Sequence, residues 1–74
     1  MPKEFKRSLT IAGHRTSLSL EPEFWTVLKA SAKAERKSLA ALVGEIDRGR
    51  GDRNLSSALR VWVLNRLMKA DQFS

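Results

Sequence analysis

Arg15-Thr16-Ser17-Leu18-Ser19-Leu20-Glu21-Pro22-Glu23-Phe24-Trp25 changes its period partway along. Up to Leu20 polar and apolar residues alternate; from Pro22 the pattern is helical. In an extended chain, alternate side chains point to opposite faces. Thr16, Leu18 and Leu20 therefore share one face, and Arg15, Ser17 and Ser19 share the other. The first set needs cover from water; the second is polar and basic. Pro22 marks a helix start, because proline suits the first helical position, where its missing N–H has no helical partner to lose. Glu21 and Glu23 suit the positive end of that helix's dipole. The pattern predicts a strand over residues 15–20 and a helix from about residue 22 to about residue 35.

Downstream, Trp25, Leu28 and Ala32 recur at helical spacing, with Phe24 and Val27 beside them. Ser38 is a good N-cap for a second helix, in which Leu39, Leu42, Val43 and Ile46 form the clearest apolar stripe of the chain. So few residues separate the two helices that the chain must turn sharply. Arg48-Gly49-Arg50-Gly51-Asp52-Arg53 reads as a basic loop, and Asn54 or Ser56 can cap a third helix over roughly residues 55–69. The apolar residues of that helix, among them Leu59, Trp62 and Val63, cover most of its circumference. A helix of this kind is buried on several sides, so it is expected either in a dimer core or against another protein. Residues 71–74 are expected to fray.

Upstream, Ser8-Leu9-Thr10-Ile11 also alternates, and Gly13 suits a turn. A lone six-residue strand needs a partner. Either residues 8–11 fold back as a hairpin or a second chain supplies the strand; the residues alone leave this open. Residues 1–7 read as a polar, basic arm.

The chain has 74 residues, no Cys, one His and a formal charge of +6. Without Cys there are no disulfides, no thiol catalysis and no Cys-containing zinc site. The single His has no evident nucleophile and orienting carboxylate to work with, and Gly49 and Gly51 lack the surroundings of a phosphate-binding loop. An enzyme is not expected, and neither is a cofactor or a metal. No apolar run approaches the ~18–20 residues of a membrane span, and nothing near residue 1 reads as a secretory signal, so a cytoplasmic protein is expected. Residues 1–20 are the most basic, with Lys3, Lys6, Arg7 and Arg15 against Glu4 alone. Such a segment favours a polyanion, of which DNA is the common one. A chain this short buries only about 60% of its unfolded surface, which leads to the expectation that a second copy completes the core.

Residues 15–48, with their order of strand, proline-started helix, tight turn and Ser-capped helix, resemble the ribbon-helix-helix family of dimeric DNA-binding proteins. The resemblance rests on the stretch quoted above and on Lys37-Ser38-Leu39-Ala40-Ala41-Leu42-Val43. Ala12-Gly13-His14-Arg15-Thr16-Ser17 and Asn54-Leu55-Ser56-Ser57-Ala58-Leu59-Arg60-Val61 resemble a branch of short bacterial proteins within it. The resemblance implies a mainly α fold with a short β ribbon: an intertwined ribbon-helix-helix homodimer plus a third, C-terminal helix. One domain would then comprise residues 1–14 (arm and extra strand), 15–48 (core), 49–53 (loop) and 54–74 (last helix).

The resemblance also implies roles. A ribbon of one strand from each chain would enter the major groove of double-stranded DNA, as β-ribbon readers do. Arg15, Ser17 and Ser19 would meet base edges. Lys6, Arg7, Lys37, Ser38 and Leu39 would meet phosphates, the last two through the start of the second helix. Leu18, Leu20, Trp25, Leu28, Leu42, Val43, Ile46, Leu59, Trp62 and Val63 would form the dimer core. The implied function is sequence-specific transcriptional repression. Two other readings stand beside it: an antitoxin whose third helix covers a toxin, and a dimerising interaction module without DNA binding.

Overall fold

The computed structural model describes residues 5–70. The first four residues of the expected arm, and the chain after Ala70, lie outside the described residues. The element order is β1 (Phe5–Ile11), β2 (His14–Leu20), α1 (Pro22–Ala34), α2 (Leu39–Arg48) and α3 (Leu55–Ala70). The chain is mainly α, with a two-stranded antiparallel ribbon ahead of three helices.

The ribbon lies within one chain. Strand β1 pairs with β2 in a register running from Phe5 opposite Leu20 to Ile11 opposite His14. The question left open by the sequence is thus answered as a hairpin, and β1 is longer than residues 8–11, because Phe5, Lys6 and Arg7 belong to it rather than to an arm. Ala12 (φ 52°) and Gly13 (φ 82°) form the turn. Positive φ at both central residues marks a type I′ turn, whose twist matches that of paired strands. Gly13 adopts this conformation freely, whereas Ala12 does so at a steric cost.

Helix α1 starts at Pro22 without a side-chain cap at Glu21. It ends in a Schellman motif: Lys37 N–H donates to Ala32 O (3.0 Å) and Arg36 N–H to Lys33 O (3.1 Å). Arg36 takes the left-handed position, at φ 59°, that glycine usually fills. This cap produces the sharp turn into α2. Ser38 Oγ accepts from Ala41 N–H (3.0 Å) at the start of α2, and Asn54 Oδ1 accepts from Ser57 N–H (2.8 Å) at the start of α3. Of the two candidate caps for the third helix, Asn54 is the one used.

The helices cover one face of the hairpin, with α2 against β1 and α3 against β2. Ile11, Leu18 and Leu20 meet Trp25, Leu28 and Ala32 of α1, Leu42, Val43 and Ile46 of α2, and Ala58, Leu59 and Val63 of α3 in one core. Burial of each large aliphatic side chain stabilises the fold by roughly 1.5–3 kcal/mol. One chain buries these residues by itself. Leu18 and Leu20 are buried by their own chain, because the three helices cover the face of the hairpin on which they lie. What stays uncovered lies elsewhere: Phe5, Leu64, Leu67 and Met68 are 57%, 54%, 46% and 40% exposed. Helix α3 is buried along one side only, through Ala58, Leu59 and Val63.

Candidate nucleic-acid interface

The register sorts the hairpin into two faces. Directly opposed residues share a face. Lys6 with Ser19, Ser8 with Ser17, and Thr10 with Arg15 therefore form the outer face. All are exposed except Ser19, which is half-buried. The Ser8 and Ser17 hydroxyls lie 3.3 Å apart, joining the two strands across this face. Neither strand carries a carboxylate, so Lys6 and Arg15 face solvent with no acid beside them on the sheet.

Arg15, Ser17 and Ser19 thus lie together on one open surface, in line with their alternation in the sequence. Lys6 joins them and Arg7 does not. As neighbours in a strand, Lys6 and Arg7 cannot share a face. Arg7 turns toward α1, where its guanidinium sits 5.5 Å from the centre of the Trp25 ring. Lys6 and Arg7 therefore point to opposite faces of the hairpin. Trp25 also donates its indole N–H to Phe5 O (2.9 Å), fastening the start of β1 to α1. Nothing in the sequence signalled that bond. Ser8 and Thr10 also belong to the outer face, and the alternation at residues 8–11 is the sequence signal for it.

The edges of the hairpin follow from its turn. In a two-residue hairpin the residues flanking the turn exchange hydrogen bonds, and bonded and non-bonded pairs then alternate along the strands. Ile11/His14, Leu9/Thr16, Arg7/Leu18 and Phe5/Leu20 are thus the bonded pairs. The main-chain groups of Arg15, Ser17 and Ser19 point away from β1, along the open edge of β2. Among the described residues no strand pairs with that edge.

The start of α2 offers main-chain donors rather than a free charge. The first amides of a helix have no intrahelical acceptor, so the N–H groups of Leu39 and Ala40 stay available once Ser38 has capped Ala41. Lys37, however, is not a free point charge. Its ammonium bonds Glu45 and lies 3.2 Å from Glu35, and the Glu45 hydrogen bond holds its pKa above the usual lysine value. Glu35 also accepts from Arg66 (2.7 Å), and that bond, then Lys37, keeps its carboxyl below the usual range. Glu21 is held low by a main-chain hydrogen bond and by Arg60 (3.0 Å).

The expected dimer-core residues Leu18, Leu20, Trp25, Leu28, Leu42, Val43, Ile46, Leu59 and Val63 are buried within one chain, and Trp62 is half-buried. An apolar groove lies open between α1 and α3, lined by Phe24, Val27, Val61, Leu64 and Leu67 together with Glu23 and Arg60. Arg60 reaches Glu21, so the groove begins where β2 ends.

A family model described as a ribbon-helix-helix domain matches residues 5–67, nearly the whole described chain. The chain belongs to the ribbon-helix-helix family. The match takes in both strands and most of α3, so the hairpin and the third helix fall inside the ribbon-helix-helix domain. Ribbon-helix-helix domains commonly bind DNA, as transcription regulators or antitoxins, and are regulatory modules rather than enzymes. No curated protein and no solved structure matches the chain. Among the described residues, no helix is long and apolar enough to cross a membrane.

Proposed function

We propose that the protein is a homodimeric, sequence-specific DNA-binding protein that acts as a transcriptional repressor. The observation that carries this reading is the outer face of the hairpin: exposed, polar, acid-free and built around Arg15, Ser17 and Ser19. An Arg fork can donate two hydrogen bonds to guanine, and a Ser hydroxyl can donate or accept at a base edge. Two copies join through the open edges of their β2 strands, which puts both sets of reading residues side by side along the dimer axis. The β2 edge is favoured over the β1 edge because the α1–α3 groove begins at the end of β2. A copy paired there also covers apolar surface. The amides of Leu39 and Ala40, beside the Ser38 cap at the start of α2, hold a phosphate at either end of the site; Lys37 contributes only as far as Glu45 and Glu35 release it.

Selection of duplexes from a random pool, with sedimentation of the free protein, tests this reading. The expected results are a dimer at micromolar concentration and an enriched two-fold symmetric sequence, bound more weakly as salt rises. A monomer that enriches no sequence would contradict it. An antitoxin is the second reading, favoured by the exposure of Leu64, Leu67 and Met68. Sedimentation of Leu64→Lys/Leu67→Lys separates the two. Loss of the dimer assigns that surface to the second copy; an intact dimer leaves it for another protein.

A further inference from the structure

We infer that strand β1 forms a phosphate-contacting flank of the DNA site, through Lys6, Ser8 and Thr10. This inference rests on the proposed pairing of two copies through β2. That pairing produces a four-stranded sheet in the order β1, β2, partner β2, partner β1. Neighbouring strands lie about 4.8 Å apart, so the two outer strands are separated by three spacings, roughly 14 Å. The major groove is about 12 Å wide. The central pair fits within it and the outer pair does not; each β1 strand comes to rest over a groove wall, where the phosphates are.

The residues that β1 presents there suit phosphates. Lys6, Ser8 and Thr10 face the same way as Arg15, Ser17 and Ser19 because each is directly opposite one of them. An ammonium and two hydroxyls are common phosphate donors, and no carboxylate lies on either strand. The division of labour is that β2 reads sequence and β1 sets affinity and register.

Salt titration of binding to mixed-sequence duplexes tests this. Ser8→Lys adds one cation per chain to the flank, and the slope of log affinity against log salt should steepen by roughly 2 per dimer. Lys6→Ala should make it shallower by about as much. In both variants the sequence preference found by duplex selection stays that of the parent. Asn65 is an exposed residue of α3 that lines a cleft with Leu42, Glu45 and Ile46 of α2, away from the hairpin's outer face; Asn65→Lys adds the same charge there and should leave the slope as it was. Unchanged slopes for both Ser8→Lys and Lys6→Ala, in proteins that still bind DNA, would overturn the inference alone. So would an altered base preference, which would place β1 inside the groove. A parent protein that binds no duplex would overturn the inference together with the function it rests on.

Discussion

The two faces of one hairpin, built from adjacent residues of the same strands, have opposite fates. The helix-facing side of β2 carries Leu18 and Leu20 into the core, whereas the outer side leaves Arg15 and Ser17 exposed and Ser19 half-buried. A shift of one residue exchanges stability for function. Faces of this kind can be altered separately, since changes on one leave the contacts of the other in place.

The largest effect is expected where the inner face is broken. Leu20→Asp buries a carboxylate among aliphatic side chains without a partner, and should abolish folding at room temperature. Leu20→Ala, which only leaves a cavity, should cost about 2–5 kcal/mol. Ser19→Asp, one residue away, should melt within about 0.5 kcal/mol of the parent yet lose DNA binding through repulsion of phosphate. Thermal melts and fluorescence anisotropy on the same three proteins check the contrast.

A smaller change sharpens it from the outer side. Arg15→Ala should weaken specific binding by about 1–3 kcal/mol and relax preference at one base position, with no shift in melting temperature. Equal stability and equal specificity for variant and parent would remove Arg15 from the reading row.

Smaller still is the join between hairpin and helices. Trp25→Phe removes the indole donor from Phe5 O and should cost about 1 kcal/mol. Faster hydrogen exchange confined to the start of β1 would identify the cause. Arg36→Gly should stabilise by about 1 kcal/mol, by relieving the left-handed backbone after α1, and differential scanning calorimetry would detect it.

The smallest effect is that of pH. Glu21 and Glu35 have carboxyls held below their ordinary value of 4.5 by hydrogen bonds. Their stabilisation is therefore present above that value and is lost as pH falls through the lower, folded one. Glu35→Gln should lower the neutral plateau of a melting-temperature profile slightly and flatten its acid limb, leaving the strongly acid end where it was.

The same contrast explains what could be read in advance. Period two at residues 15–20 and period 3.6 at residues 39–46 report burial directly, so β2, α1, α2 and their core residues were legible. The starts of α1 at Pro22 and of α2 at Ser38 have local causes and were legible as well; the cap of α3 was narrowed to Asn54 or Ser56. The partner of β2 was not: Ala12 carries no preference for positive φ, and the turn forms because the paired strands and the core beneath them outweigh its cost. The fate of Lys37 was equally hidden, because Glu45 lies eight residues away and reaches it only once α2 has folded. Arg7 could have been separated from Lys6 by parity alone, once the strand was known to extend to Phe5.

The most direct test of the account is a titration of isotope-labelled protein with duplex DNA, followed by amide chemical shifts. The largest changes should fall on Lys6, Ser8, Thr10, Arg15, Ser17 and Ser19, with Leu18 and Leu20 nearly still. Changes centred on Phe24, Leu64 and Leu67, with the outer face unmoved, would contradict it.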